Sequence, residues 1–346
     1  METRFYLRPV PPFRLDLTVW ALRRRPRNAI DQWDGSKYSR ILYIDGRRVE
    51  LGVRQTAPAD DPELEVSCAY RGREVAVSSV RDIVERLLGV NVRMAEFYRL
   101  AEGDPRLRAL ATRFLGLRSP CFPTAFEAAL NAVCCQQLSL EVGLELVNRL
   151  ATAAETEHTR NETPPAFPRP RDVARLSEQR LRGLGFSRQK AATLLGLARL
   201  LNEDERYLDR LAELDDGSAR AGLLAIKGIG RWSAEYILLR GMGRLSVFPA
   251  DDIAARKNLL RWLGIDVGGS RSAYEQIQEA LRQWRPFQGL VYFHLLLANL
   301  DERALLGIRG GNSAQAIDHA ESFIRKDRPA PSPSDFEAKT ASDKSR

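Results

Sequence analysis

From Phe13 to Val19 the chain alternates apolar and polar residues, Phe-Arg-Leu-Asp-Leu-Thr-Val, the period of a strand covered on one face. The same alternation returns between Ser39 and Arg54, interrupted by Asp45-Gly46. That dipeptide supplies the left-handed backbone of a tight hairpin, and Val49, Leu51 and Val53 then share one face. A third alternating stretch, Leu64 to Val77, surrounds Arg71-Gly72 and predicts another hairpin. The period then changes. Ile83, Val84, Leu87 and Leu88 form a helical stripe, and Val92 to Leu100 continues in the same manner. The N-terminal part is thus expected to be α+β with an antiparallel sheet.

From about Pro120 to Leu306 apolar residues recur at three- and four-residue spacing, which predicts an all-helical second part. The stretch Thr163-Pro-Pro-Ala-Phe-Pro-Arg-Pro170 reads as a loop between helices, because proline lacks the amide donor and restricts the residue before it. Beyond Lys326, prolines and scattered charges offer too little apolar surface for a core, and this tail is expected to be disordered. The reading divides the chain into an antiparallel-sheet α+β domain (1–117), a helical domain (118–308) and the tail (327–346).

The net charge of +8 over 346 residues makes polyanions attractive partners without selecting among them. No apolar run reaches the ~18 residues of a membrane span, and Arg4, Arg8 and early prolines break any leader-like core, so a cytoplasmic protein is expected. Cys68, Cys121, Cys134 and Cys135 form no CxxC pair, and the three histidines are far apart. No metal and no cofactor are expected; the thiols read as small buried side chains in a reducing compartment.

The segment richest in chemistry is Leu223 to Arg240, in which two helical runs flank Gly228-Ile229-Gly230. Glycines there permit a hairpin that aims backbone amides at a phosphate, at the start of the second helix. Ile229 would pin the hairpin to the protein. After Gly241-Met-Gly243 an extended run, Leu245 to Pro249, leads to Asp251-Asp252 and a helix over Ile253–Leu263. Asp252 occupies the N-cap position, where backbone amides keep a carboxylate ionised and oriented. Trp232 and Tyr236, four apart, share a helix face. Gln137-Leu138 interrupts two helices, Ala125 to Cys135 and Leu140 to Leu150, with Ser139 as a cap.

Gly228-Ile-Gly-Arg-Trp-Ser-Ala234, followed by Phe248-Pro-Ala-Asp-Asp252, resembles the signature of the helix-hairpin-helix, Gly/Pro-rich loop and aspartate (HhH-GPD) base-excision DNA glycosylases. Within them the resemblance is to the DNA-3-methyladenine glycosylase II type. It extends through Phe122-Pro-Thr-Ala-Phe126, Gln136-Gln-Leu-Ser139, Leu184-Gly-Phe-Ser-Arg-Gln-Lys190, Trp284-Arg-Pro-Phe287 and His294, and so covers about Pro120 to Leu300. The N-terminal part is similar to the TATA-binding-protein-like domain of that type.

The resemblance implies that Asp252 is the catalytic carboxylate, with Asp251 the lesser candidate. It places Trp232 and Tyr236 in a base pocket, with Trp20 as a further wall. Leu296 stands where that type carries a third pocket aromatic, two residues after His294. The DNA contacts it implies are Gly228, Ile229, Gly230 and Ser233 at the hairpin and Leu138, with Gln137, as a wedge in the minor groove. Lys227 replaces a frequent hairpin proline. Lyase-competent members carry a nucleophilic lysine where this chain has Trp232, so the reaction is expected to stop at an abasic site.

The partner implied is double-stranded DNA with alkylated bases, handled by a monomer that is nucleoid-associated if bacterial. Arg188, Lys190, Arg231, Arg256 and Lys257 are candidates for a phosphate track. Two other readings compete: a non-catalytic helix-hairpin-helix DNA-binding protein, and a glycosylase for oxidised, deaminated or mismatched bases.

Overall fold

The computed structural model describes residues 1–155, 164–265 and 273–306. Strand β1 (Glu2–Leu7) precedes helix α1 (Leu15–Arg23), then β2 (Gln32–Trp33), β3 (Lys37–Ile44), β4 (Arg47–Gln55) and β5 (Leu64–Tyr70). These form one antiparallel five-stranded sheet in the order β1-β5-β4-β3-β2. The Asp45-Gly46 hairpin is as expected, with φ of 50° and 77° and Ile44 opposite Arg47. Val49, Leu51 and Val53 point into the core with Leu64 and Val66, together with Leu15, Val19 and Leu22 of α1 and Val80, Val84 and Leu87 of α2 (Val77–Leu88). The N-terminal part is therefore α+β.

Two expected strands are absent. The alternating stretch at Phe13–Val19 lies mostly in α1, whose residues are all buried except Asp16. A helix buried on every side has no polar face, so over seven residues its pattern imitates a strand. The second half of the Leu64–Val77 stretch is also not a strand. After the turn at Gly72 (φ 86°) the chain enters α2 at Val77. Strand β5 is already paired on both edges, with β1 and β4, which leaves no edge for a further strand.

The described residues fall into two compact units, one comprising Met1–Val92 and the chain from Phe114 onward, the other Arg93–Arg113. In the latter, α3 (Ala95–Glu102) and α4 (Pro105–Arg113) pack on each other, with Asp104 accepting from the Arg106 amide.

From Ala125 the chain is helical. In order come α5 (Ala125–Cys135), α6 (Leu140–Ala154), α7 (Pro170–Ala174), α8 (Glu178–Gly183), α9 (Arg188–Glu203), α10 (Tyr207–Glu213) and α11 (Asp216–Leu224). They are followed by α12 (Arg231–Met242), α13 (Ile253–Leu263), α14 (Ala273–Leu281) and α15 (Gln288–Glu302). The expected loop at Pro164–Arg169 precedes α7, while its first residue and the expected disordered tail lie outside the described residues. Among the described residues no helix is long and apolar enough to cross a membrane.

Helix α12 carries Trp232, Ser233 and Tyr236, and it approaches α5 closely. A Cβ added at Gly241 would lie 2.6 Å from the Ala128 methyl and 3.2 Å from the Ala125 Cα, so the backbones meet without an intervening side chain. A buried cluster ties the sheet to the start of α5: Arg40 of β3 pairs with Asp31 at 3.1 Å and with Glu127 at 2.9 Å. Isolated burial of any of these charges would be strongly unfavourable, whereas here the guanidinium is paired with two carboxylates. All four cysteines are free and buried.

Candidate nucleic-acid interface and active site

Gly228, Ile229 and Gly230 form the turn between α11 and α12. Gly228 has φ +90°, and a Cβ there would come within 2.0 Å of the Thr193 hydroxyl, so both conformation and close approach to α9 require glycine. Ile229 is 5% exposed and belongs to the core, the pin expected of it. Gly230 is different. It is the N-cap of α12 with φ −94°, and nothing lies within 4 Å of where its Cβ would stand. The first intrahelical bond runs from the Ala234 amide to the Gly230 carbonyl, which leaves the preceding amides directed outward at an open surface.

Ser233 requires a correction. Its side chain is 1% exposed, and its hydroxyl accepts from Gln136 Nε2 at 2.9 Å, so only its backbone is placed to meet a phosphate. The same Gln136 amide donates to the Gly228 carbonyl at 3.0 Å. Gln136 thereby clamps the hairpin to the end of α5. Next to the clamp, Gln137 has φ 54° and Leu138 is 43% exposed. Ser139 then caps α6 by accepting from the Val142 amide, as the sequence predicts. An exposed leucine beside a left-handed non-glycine residue is a costly local choice, which singles out this loop.

The turn bearing the two aspartates is ordered by bonds on every side. Asp252 caps α13: its Oδ1 accepts from the amides of Ala254 at 2.9 Å and Ala255 at 3.0 Å. Its Oδ2 faces Trp232, whose indole Nε1 donates at 3.3 Å. Asp251 is instead held by Arg231, with Nη2 to Oδ1 at 3.0 Å. The Arg231 guanidinium also lies 4.0 Å from the ring of Tyr274. Tyr274 in turn donates to Glu235 Oε1 at 2.6 Å, and Glu235 Oε2 accepts from the Ala250 amide at 3.3 Å. Burial pushes the Glu235 carboxyl above its usual range. This brace was not legible in the sequence, since it joins residues from three separate segments.

Trp232 and Tyr236 are in contact, their ring centroids 5.6 Å apart. Trp20 and Leu296 do not share a contact of that kind. Trp20 sits on α1 beneath the Arg23 guanidinium, 5.0 Å from its ring, and Leu296 is half-buried on α15. One turn earlier on α15, Tyr292 is 7% exposed and close enough to Asp252 for that charge, second to burial, to raise its phenol well above the usual value. An aromatic from the later helix is thus present, at Tyr292 rather than at the position of Leu296. The expected phosphate track is only partly available. Lys190 turns inward onto the Cys134 carbonyl at 2.9 Å, Arg231 is engaged with Asp251, and Arg188 faces Glu178 at 3.5 Å.

Sequence reasoning also missed two buried arginines beside Tyr236. Arg24 Nη1 donates to the Tyr236 hydroxyl at 2.8 Å, and Arg240 lies 5.8 Å from the same ring. Burial raises the Tyr236 phenol, and both guanidiniums oppose that rise. Among the described residues no group of three or more His, Cys, Asp or Glu could hold a metal ion.

Residues 130–286 match the HhH-GPD superfamily base excision DNA repair protein family. The chain is 27% identical over 203 residues to the DNA-3-methyladenine glycosylase of Bacillus subtilis (strain 168), covering 58% of this chain and 66% of that protein. It is 28% identical over 180 residues to DNA-3-methyladenine glycosylase 2 of Escherichia coli (strain K12), covering 52% and 60%. The matched stretch therefore spans less than two thirds of the length of these two relatives. Among solved structures, the 3-methyladenine DNA-glycosylase from Archaeoglobus fulgidus superposes with a TM-score of 0.72 at 27% identity, covering 86% of this chain and 98% of that one.

Proposed function

Because residues 130–286 match the HhH-GPD superfamily of base-excision DNA repair proteins, we propose that the chain is a monofunctional DNA glycosylase that removes alkylated bases from duplex DNA. The observation that carries this reading is the Asp252 carboxylate, with one oxygen fixed by two backbone amides and the other turned toward Trp232. Cleavage of the glycosidic bond develops positive charge on the sugar. A carboxylate already oriented before the substrate arrives stabilises that charge without reorganising. A base alkylated on a ring nitrogen is itself a good leaving group, so no strong general acid is required.

The remaining parts take complementary roles. The outward amides at Gly230 grip a phosphate of the DNA backbone. Leu138 enters the minor groove and fills the space left by the flipped nucleotide, and the Trp232–Tyr236 wall receives the base. The sheet-bearing N-terminal part, residues 1–117, is read as the TATA-binding-protein-like domain, and the enzyme as a monomer. An indole at position 232 cannot form a Schiff base, so the product is an abasic site with an intact strand.

The test is release of 3-methyladenine and 7-methylguanine from single-lesion duplexes, with strand cleavage scored in parallel. Base release with an intact strand is expected. Strand cleavage without added base or heat would overturn the monofunctional assignment, and binding to lesion DNA without release would favour the non-catalytic alternative.

A further inference from the structure

Arg24 ends α1 with φ 63°, in the left-handed region, where glycine is usual and a bulky residue is disfavoured. Its side chain turns inward and only 3% of the residue is exposed. Nη1 donates to the Tyr236 hydroxyl at 2.8 Å and Nη2 to Asn131 Oδ1 at 3.1 Å, both neutral acceptors, while Nε has no partner. Arg240, 0% exposed, reaches Tyr236 from α12 itself. Its Nη2 donates to the carbonyls of Ala21 and Leu22 at 3.0 and 3.2 Å, and its guanidinium lies 5.1, 5.8 and 5.3 Å from the rings of Phe122, Tyr236 and Phe293.

Neither guanidinium has a carboxylate within 4.0 Å among the described residues. Buried Arg40, by contrast, is paired with both Asp31 and Glu127, whereas buried Arg23 likewise bonds only carbonyls, those of Trp33 and Pro26, but points away from Tyr236 onto Trp20. The two cations flank Tyr236, Tyr236 touches Trp232, and Trp232 donates to Asp252. An arginine stays charged when buried, so this side of the site carries two positive charges, and the carboxylate whose charge reaches both, Asp31, is itself paired with Arg40.

We propose that Arg24, backed by Arg240, sets the charge preference of the site, favouring lesions that are neutral in DNA over lesions that are cationic. The proposal rests on the glycosylase reading above and carries its substrate class beyond cationic alkylated bases to neutral lesions. A base alkylated to a cation enters against two guanidiniums that have no carboxylate partner within 4.0 Å among the described residues and leaves as a neutral molecule, so nearby positive charge opposes its binding by as much as it favours its departure and gives no net gain over free enzyme and DNA. A neutral lesion behaves differently. Its C1′–N bond breaks with the electron pair going to the purine, water adds its oxygen to C1′, and the proton that water loses restores neutrality to the departing ring. Negative charge develops on the purine in that step, and the guanidiniums stabilise it. Arg24 is a specificity and positioning residue, since it acts through field and through Tyr236.

The experiment uses the full chain with duplexes carrying hypoxanthine, a neutral lesion, or 7-methylguanine, a cationic one. Single-turnover base release, measured at enzyme concentrations below saturation so that binding is included, is divided by uncatalysed release from the same duplex. The wild type is expected to show an enhancement at least ~10-fold larger on hypoxanthine, the effect of a buried charge interaction equivalent to about one pKa unit. Arg24→Met should lower release of hypoxanthine relative to 7-methylguanine by a similar factor, and Arg24→Lys should keep most of the ratio. An equal loss on both lesions in Arg24→Met would reduce Arg24 to packing and overturn the proposal. So would a larger wild-type enhancement on 7-methylguanine, a measurement that stands even if the variant does not fold. Release of neither base would overturn the glycosylase reading and this proposal with it, whereas release of 7-methylguanine alone would remove only the charge preference.

Discussion

Two loops at the candidate site, Pro249–Asp252 and Gln136–Ser139, do the same topological job and are built in opposite ways. Each joins two helices and ends on an N-cap, Asp252 for α13 and Ser139 for α6. In the first, Asp251 is tied to Arg231, Asp252 to two amides and an indole, and the Ala250 amide to Glu235. In the second, Gln137 and Leu138 extend into solvent past a single clamp at Gln136. The difference suits the two roles proposed for them. A group that stabilises charge gains from being held before the reaction, while an apolar group that fills a gap in a partner must be exposed until the partner arrives.

The comparison breaks most visibly at Asp252. Asp252→Asn should lose at least ~10²-fold in base release, the scale for removing a preorganised charge-stabilising group. Because asparagine also caps helices, the melting temperature and binding to an abasic-analogue duplex should stay near wild type. Near-full release by this variant would remove the carboxylate from the mechanism.

The two hairpin glycines should separate folding from binding. Gly228→Ala meets the Thr193 hydroxyl in a left-handed conformation and should destabilise the fold by about 2 kcal/mol or more. Gly230→Ala, with open space around it, should leave the thermal melt within about 0.5 kcal/mol and weaken DNA binding whatever the lesion. Equal melts for the two would contradict the close approach to α9.

Gln136→Ala removes the clamp shared by the hairpin and the exposed loop. A loss of about 1 to 2 kcal/mol is expected from the two bonds, with weaker DNA binding in the same variant. A melt unchanged from wild type would show that the loop is held by something other than the clamp. Leu138→Ala should change stability by less than about 0.5 kcal/mol, yet slow excision from duplex DNA more than from single strands, which have no stacked gap to fill. Equal slowing on both substrates would count against the wedge. The smallest effect is expected for Asp251→Asn, where a partly exposed pair with Arg231 is worth about 0 to 1 kcal/mol; an excision defect as large as that of Asp252→Asn would mean that turn geometry, not one carboxylate, governs the rate.

What the sequence made legible was encoded locally. The Asp45-Gly46 hairpin, the cap at Asp252, the buried pin at Ile229 and the boundary between α5 and α6 each depend on a few adjacent residues, and the structure places them where the pattern predicts. The failures are non-local. Helix α1 was hidden because its surroundings bury every face, and the strand expected after Gly72 was excluded by β1, whose pairing with β5 joins distant parts of the chain. Arg24 stands within Arg23-Arg24-Arg25, a run that reads as a solvated surface, and nothing in its neighbours announces burial against Tyr236. Tyr292 stands two residues before His294, whereas the resemblance places a pocket aromatic two residues after it.

The close contact at Gly241 has a consequence for motion. With the α12 backbone resting on Ala125 and Ala128, neither helix can slide or tilt without opening a void in the centre of the core. Amide hydrogens along α5 and α12 should therefore exchange with solvent together and slowly, at the rate of global unfolding, while those of Gln137 and Leu138 exchange by local opening. Under the proposed function, slow fluctuations that admit an extruded nucleotide would then belong to the loops and to side-chain rotation of Trp232, with the helix pair as the fixed frame against which they are timed.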